Sequence, residues 1–331
     1  MKENEIRRSD LAAETQRLYK IDQQNILELK DMFVEVDCPC CHASQRELAW
    51  ERDGFRFNEC CNCQSIYVSP RPTPEILSEH YRTSLSEAFW IKEIYPNSEQ
   101  ARREKIVKPR VEKVKQFVEK YGVARSRLID VGAGFGTFCH VVSETGLFNE
   151  VIAVEPNLVP GAEMLHKGVS VINDRIENLS NLNADVITSF ELIEHLFAPC
   201  KFIEKLYAAL NPGGLLVITT PNIQGFDLAT LRNVSDNTTA PDHINYFHIE
   251  SLKSLLEAHS FNVLEVLTPG KLDAELVRNK VLAGVYDLSG QHFLKTVLID
   301  NWEKQGQAFQ QYLEQNLLSS HLWMVARKPS E

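Results

Sequence analysis

The sequence predicts an α/β fold. A mostly parallel, seven-stranded sheet with helices on both faces follows a small cysteine-rich module, and a helical insertion precedes the last strand. Three observations predict this. From Ser126 onward short apolar runs alternate with helix-length stretches, the first run passes directly into a glycine turn, and six of the eight cysteines crowd between Cys38 and Cys63. Short strands separated by helical segments are the pattern of a parallel sheet covered on both sides. A length of 331 residues suits about two domains. A hydrophobic content of 44% against 24% charged residues is that of a globular chain with a sizeable core.

Taken in order, residues 1–37 read as an N-terminal helical segment, polar and amphipathic, with Leu11, Leu18, Ile21, Ile26 and Leu29 between charged positions. Residues 38–69 place two cysteine pairs around the strand-like pieces LAW and GFRF, joined by a turn at Asp53-Gly54, which predicts a small hairpin module. Pro70, Pro72 and Pro74 break regular structure there, and residues 70–124 read as a helical connector interrupted at Pro96 and Pro109. Residues 125–331 form the α/β domain, with strands expected at RLIDVGAG, VIAVEP, VSVIN, ADVITSF, GLLVITTPN, FNVLEVLTPG and HLWMVARKP. The stretch 271–319 before the last strand is too long for a turn. Insertions of that kind build lids or dimer contacts, so a homodimer is among the expectations.

With 35 Lys+Arg against 45 Asp+Glu the net charge is −10, which repels polyanions. A nucleic-acid partner would need a local basic patch, and around the cysteines only Arg46, Arg52 and Arg56 are available, which argues against one. No apolar run approaches the roughly 18 residues of a membrane span, and the opening MKENEIRRSDLAAETQ lacks the apolar core of a secretion signal. The expected location is the cytoplasm.

In a reducing compartment, clustered cysteines point to metal rather than disulfides. Cys38-Pro39-Cys40-Cys41 and Cys60-Cys61-Asn62-Cys63 each contain a pair separated by two residues. Two such pairs on facing knuckles supply the four thiolates that tetrahedral Zn2+ prefers. Cys38, Cys41, Cys60 and Cys63 are the expected ligands of a structural zinc. Cys40 and Cys61 leave the register open, and an iron–sulfur cluster or a redox pair is the competing reading.

The run Leu128-Ile129-Asp130-Val131-Gly132-Ala133-Gly134-Phe135-Gly136-Thr137 is a buried strand leading into a glycine turn and a helix. Glycines let the backbone turn sharply and bring its N–H groups against a nucleotide-like ligand. A dinucleotide fingerprint needs glycine at its first, third and sixth places, and the sixth here is Thr137, which disfavours NAD and FAD. The second strand ends in Glu155-Pro156, about 19 residues past Gly136, where a carboxylate can accept from ribose hydroxyls.

These residues, with the later runs FELIEHL and LNPGGLLVITTPN, resemble the class I S-adenosylmethionine-dependent methyltransferases, whose motifs occur here in the same order. The resemblance implies a Rossmann-like methyltransferase sheet with S-adenosylmethionine as methyl donor and S-adenosylhomocysteine as product. It implies that Asp130 and the loop Gly132, Ala133, Gly134 and Gly136 hold the methionine part, with Glu155 and Pro156 at the ribose. Asp174 would face the adenine amino group with Ile176 beside the ring, and Phe190, Glu191 and His195 would lie beside the methyl group, His195 as a candidate catalytic residue and, like Glu191, with a pocket-shaping helix-start hydrogen bond as its alternative role. The cysteine module followed by IYVSPRPTPEIL is similar to the N-terminal zinc module of methyltransferases in sugar-nucleotide and polysaccharide pathways, including the sugar C-methyltransferases. That implies a carbohydrate acceptor, a nucleotide-linked sugar or surface-polysaccharide precursor, methylated at oxygen or carbon.

A sugar hydroxyl needs a positioned base before it can attack. Loops at the C-terminal edge of a parallel sheet face the ligand crevice, and the one after the fifth strand reads Asp242-His243-Ile244-Asn245-Tyr246-Phe247-His248. His243 is the first candidate base, with the loop-ordering role as its alternative. Tyr246 is the second candidate, as a proton donor or acceptor, or else as a packed aromatic. Arg71 and Arg82 read as solvated, or as contacts to a sugar phosphate. His140 and His166 read as surface or packing residues, and Cys139 and Cys200 as small buried hydrophobes. Methylation of RNA or of another small molecule, and a non-catalytic scaffold on the same fold, are the alternative functions.

Overall fold

The structure, a computed structural model, describes residues 9–157 and 168–330. The first eight residues of the N-terminal segment and His166 lie outside them. Along the chain the strands are β1 (Arg46–Arg52), β2 (Phe55–Cys60), β3 (Ile66–Val68), β4 (Arg127–Val131), β5 (Glu150–Val154), β6 (Val169–Ile172), β7 (Ala184–Phe190), β8 (Leu210–Pro221), β9 (Asn245–Tyr246), β10 (Asn262–Leu267) and β11 (His321–Arg327). The chain divides into two compact units: Met1–Ser86, Thr220–Leu252 and Val266–Trp323 form one, and Glu87–Thr219, Lys253–Glu265 and Met324–Glu331 the other.

The second unit is built on the seven-stranded sheet, ordered β10-β11-β8-β7-β4-β5-β6. All seven expected strands are present. β5, β4, β7 and β8 pair in parallel, as does β6 on β5. β11 runs antiparallel to β8: Lys328 exchanges backbone bonds with Gly213 and Gly214 at the start of β8. Strand order reverses between β4 and β7, the switch point at which open α/β sheets bind ligands. The central strands are apolar because both faces are covered; Leu128, Ile129, Val186, Ile187, Leu216 and Val217 are fully buried. Pro212-Gly213-Gly214, expected as a turn before the fifth strand, lies within β8, with Gly213 at φ 78° and a register shift against β7 between Ala184 and Val186.

The connector behaves differently from its prediction for a steric reason. Pro96 and Pro109 open the helices Tyr95–Arg102 and Lys108–Tyr121, each preceded by a π-helical turn, Trp90–Ile94 and Arg103–Val107. A proline lacks the N–H and crowds the carbonyl four residues back, and a π turn relieves both without ending the helix.

The first unit begins with the helix Ser9–Leu27, whose Tyr19 Oη and Gln23 Nε2 both donate to the carbonyl of Ala240, at 3.0 and 2.7 Å. β1 and β2 form the expected hairpin, with its turn at Asp53 (φ 50°) and Gly54 (φ 83°). The hairpin grows into a four-stranded antiparallel sheet, β1-β2-β3-β9, whose last strand comes from the loop after β8. The insertion contributes the helices Asp273–Leu282, His292–Lys295 and Trp302–Gln315. Ala274, Val277, Leu288, Val297 and Leu298 form a buried cluster with Leu231. Residues expected within one chain-ordered domain therefore fall in both units. Among the described residues, no helix is long and apolar enough to cross a membrane.

Candidate active site and cysteine centre

The glycine turn leaves the C-terminal end of β4. Gly132, Gly134 and Gly136 all have positive φ, at 78°, 54° and 72°. At Gly132 the constraint is double, because its N–H bonds the carbonyl of Val154 at 2.9 Å and a Cβ there would lie 2.8 Å from Leu192 Cδ2. The helix Thr137–Thr145 follows. Glu155, just past β5, closes the turn from the other side: one carboxylate oxygen accepts from Gly134 N and the other from Asn157 N, both at 2.9 Å. Burial pushes the Glu155 carboxyl above its ordinary range, opposed by those two bonds.

Asp130 lies at 3% exposure; its oxygens accept from Thr188 Oγ1 at 2.6 Å and from Cys139 Sγ at 3.6 Å. Burial raises its carboxyl to about 6 from 3.8, despite the Thr188 and Cys139 bonds and the nearby Arg110. The native state thus binds more protons than the unfolded chain between these two values. Stability falls as pH rises through that window and stays reduced above it. Asp130→Asn is therefore expected to be more resistant to denaturant than the wild type at pH 8, by about 1–3 kcal/mol, with the difference vanishing below pH 4. Denaturant titrations at the two pH values check this.

At the neighbouring strand ends, Asp174 is half-buried just before the turn Ile176–Asn178, accepting from Arg175 N and Asn178 Nδ2 at 2.7 Å each. Ile176 is buried, and the carbonyl of exposed Pro156 accepts from Asn173 Nδ2 at 2.9 Å. Phe190, at the end of β7, packs edge-on against Phe138 (4.8 Å), with the Arg110 guanidinium 4.8 Å from its centroid. Glu191 has φ 52°, and its Oε1 accepts from Thr219 Oγ1 at 2.6 Å. His195 ends the turn Ile193–His195, its Nε2 3.9 Å from a carboxylate oxygen of buried Glu194. The sequence-derived cofactor residues thus share one unit and lie at the ends of β4, β5, β6 and β7.

The first unit holds the cysteines. The side-chain sulfurs of Cys38, Cys41, Cys60 and Cys63 all lie within 4.8 Å of one another, with Cys38–Cys63 and Cys41–Cys60 at 3.5 Å. Four ligands about 2.3 Å from zinc stand about 3.8 Å apart in a tetrahedron, so the set fits that ion. The two knuckles repeat one backbone pattern. His42 N bonds Cys38 O and Cys38 N bonds Ala43 O; Gln64 N bonds Cys60 O and Cys60 N bonds Ser65 O. The residue after each second cysteine, His42 or Gln64, has φ near 60°. That repeat selects the register left open by the sequence: Cys61 is exposed, and Cys40 turns its thiol to the carbonyl of Ser251 at 3.2 Å. Cys38 is pushed up by its bond to Cys63 and by burial, while Cys63 is pulled down by bonds from Cys38 and Cys40.

His243 lies in this first unit as well. Its Nδ1 is 2.9 Å from the carbonyl of Asn237. Tyr246 is 1% exposed, packs against Phe57, and donates to the carbonyl of His243 at 3.1 Å. Of its two readings, the packed aromatic is the one with this geometry. Arg71 departs from the solvated reading: it is fully buried and donates to Asn245 Oδ1 at 3.1 Å, while Arg82 is exposed and pairs with Glu79. Cys139 and Cys200 are buried as expected.

The sequence profile of a family described as "Methyltransferase domain" matches residues 100–266, half of the chain. The chain belongs to this methyltransferase family. The matched domain is that of an S-adenosylmethionine-dependent methyltransferase. A Mycolicibacterium smegmatis protein described as a probable S-adenosylmethionine-dependent methyltransferase is 30% identical over 27% of this chain and 33% of its own length. A ubiquinone biosynthesis O-methyltransferase of Xanthomonas euvesicatoria is 32% identical over 30% of this chain and 45% of its own. The chain spans less than half the length of these curated relatives. A solved structure, the 1,6-didemethyltoxoflavin-N1-methyltransferase of Burkholderia thailandensis with bound S-adenosylhomocysteine, is 13% identical with a TM-score of 0.46, over 82% of this chain and 98% of that one.

Two further residues of the second unit escaped the sequence reading. Tyr95 stacks on Phe135 of the turn, with ring centroids 3.4 Å apart at 5°, and its hydroxyl bonds Thr137 Oγ1. Burial lowers the Arg110 guanidinium from its ordinary range, opposed by the charges of Glu191, Asp130 and Glu194. Both follow or flank the prolines that made the connector read as interrupted, and no spacing in the sequence ties them to the turn.

Proposed function

We propose that this methyltransferase transfers a methyl group to a carbohydrate acceptor, a nucleotide-linked sugar or a surface-polysaccharide precursor, with a structural zinc in the cysteine knuckles. The observation that carries the cofactor reading is the Glu155 carboxylate set against Gly134 N at the switch point of the sheet. When bound there, S-adenosylmethionine supplies a methyl group on a sulfonium. Asp130 and the backbone of Gly132, Ala133, Gly134 and Gly136 hold the methionine end. Glu155 accepts from the ribose hydroxyls beside Pro156, and Asp174 accepts from the adenine amino group with Ile176 behind it. Phe190, Glu191 and His195 shape the methyl side.

His243 takes the acceptor's proton. A carbonyl can only accept, so in the neutral ring Nδ1 carries the hydrogen donated to Asn237, and the basic lone pair resides on Nε2. The similarity to ubiquinone O-methyltransferases favours oxygen over carbon as the atom methylated. Support for a sugar comes from the resemblance of the cysteine module and of IYVSPRPTPEIL to those of sugar-pathway enzymes.

Calorimetry with S-adenosylmethionine and S-adenosylhomocysteine tests the cofactor reading, and a thermal-shift screen of nucleotide sugars tests the acceptor. Glu155→Ala is expected to weaken cofactor binding by about 1.5–3 kcal/mol, the value of hydrogen bonds to a charged group. Unchanged affinity would remove Glu155 from the ribose. A folded, zinc-loaded protein that binds neither compound would make the domain a scaffold.

A further inference from the structure

The segment that follows His243 is held by both cysteine knuckles. The carbonyl of Ile244 accepts from Val68 N at 3.0 Å, and Asn245 and Tyr246 pair as β9 with Tyr67 and Ile66 of β3. His248, 4% exposed, has Nε2 2.8 Å from the carbonyl oxygen of Cys63, so that nitrogen carries the donated hydrogen. From the other knuckle, Cys40 donates to the carbonyl of Ser251. Arg71, with no exposed surface, donates to Asn245 Oδ1, and the Cys38 sulfur lies within its electrostatic reach.

We infer that the four-cysteine centre is the latch that positions the His243 loop, and that His248 is the positioning residue that transmits its order, acting through the backbone of Cys63. This rests on the zinc and His243 readings above. A strand as short as β9 cannot hold its own register, since two paired residues do not offset the conformational entropy of ordering the loop. The order must come from its neighbours. Cys63 offers its sulfur to the metal and its carbonyl to His248, so fixing the sulfur fixes the acceptor. Four thiolates around Zn2+ leave two negative charges in excess, and Arg71 supplies a buried positive charge on the side that bonds Asn245. Outer partners of this kind orient a metal site and are oriented by it.

Hydrogen exchange on the full-length, zinc-assayed protein tests the latch, with His248→Leu and His248→Gln as variants and calorimetry with S-adenosylhomocysteine as control. His248→Leu is expected to speed exchange of the amides of residues 244–251 about tenfold or more while keeping one zinc per chain and cofactor affinity within about twofold. The imidazole 15N signals of His243 should change from a single Nδ1–H tautomer to a mixture. His248→Gln, whose amide can donate to the same carbonyl, should restore both. Chelation of the metal should release the same segment, and added zinc should re-protect it. Wild-type exchange and tautomer in zinc-loaded His248→Leu overturn the latch and leave the zinc reading standing. A folded protein without zinc overturns the zinc reading and the latch with it.

Discussion

Replacement of His243 by alanine is expected to lower turnover by about 10²–10⁴-fold, the contribution of a positioned general base, with S-adenosylmethionine affinity unchanged. The split follows from where the residues lie. His243 belongs to the unit of the cysteine knuckles, whereas the glycine turn and Glu155 belong to the unit of the parallel sheet. Removing the imidazole of His243 takes away a proton acceptor and leaves the bonds of Glu155 to Gly134 N and Asn157 N in place. The rate of S-adenosylhomocysteine formation, measured with the nucleotide sugar that the thermal-shift screen selects, reads the effect. A variant with wild-type turnover would leave His243 only the task of ordering its loop through Asn237.

The sheet and its glycine turn were legible because their signals are local. Each strand is an apolar run long enough to show its period, and three glycines in five positions leave few backbone alternatives. Glu155 followed from its distance to that turn. The cysteine pairs were legible as a set but not in register, because the choice between Cys60 and Cys61 depends on the left-handed residues His42 and Gln64, which are neither glycine nor asparagine. The division into units was hidden for another reason. It depends on β9, a strand of two residues joining β3 across more than half the chain, and two residues have no period to read. Tyr95 and Arg110 were missed because contacts from a helix to distant strand ends and turns leave no mark in the helix's own pattern. The burial of Arg71 contradicts the usual fate of an arginine beside prolines and becomes intelligible only with its bond to Asn245 and the nearby Cys38 sulfur.

The same register sets the second large effect. Cys60→Ser is expected to lose the bound zinc and to cost about 3–5 kcal/mol, the scale of removing one partner from a buried charged set. That corresponds to a fall of about 6–20 °C in the unfolding midpoint of a domain of 150–250 residues. Cys60 is fully buried, at the end of β2. Its backbone closes the second knuckle on Ser65, so a hydroxyl there, a poor zinc ligand, leaves three thiolates crowded together without a fourth. The apolar residues of the module, Phe55, Phe57, Tyr67 and Val68, remain able to pack, so the loss should stop short of complete unfolding. Cys61→Ser is the control: its side chain is exposed and outside the sulfur cluster, and a change there should stay within about 0.5 kcal/mol. Cys40→Ser should fall between the two, since serine can also donate to the carbonyl of Ser251 while the shorter bond reach loosens the contact. Metal analysis and thermal unfolding of the three variants order them. Full zinc in Cys60→Ser with zinc lost in Cys61→Ser would transfer the ligand role to Cys61 and break the equivalence of the knuckles.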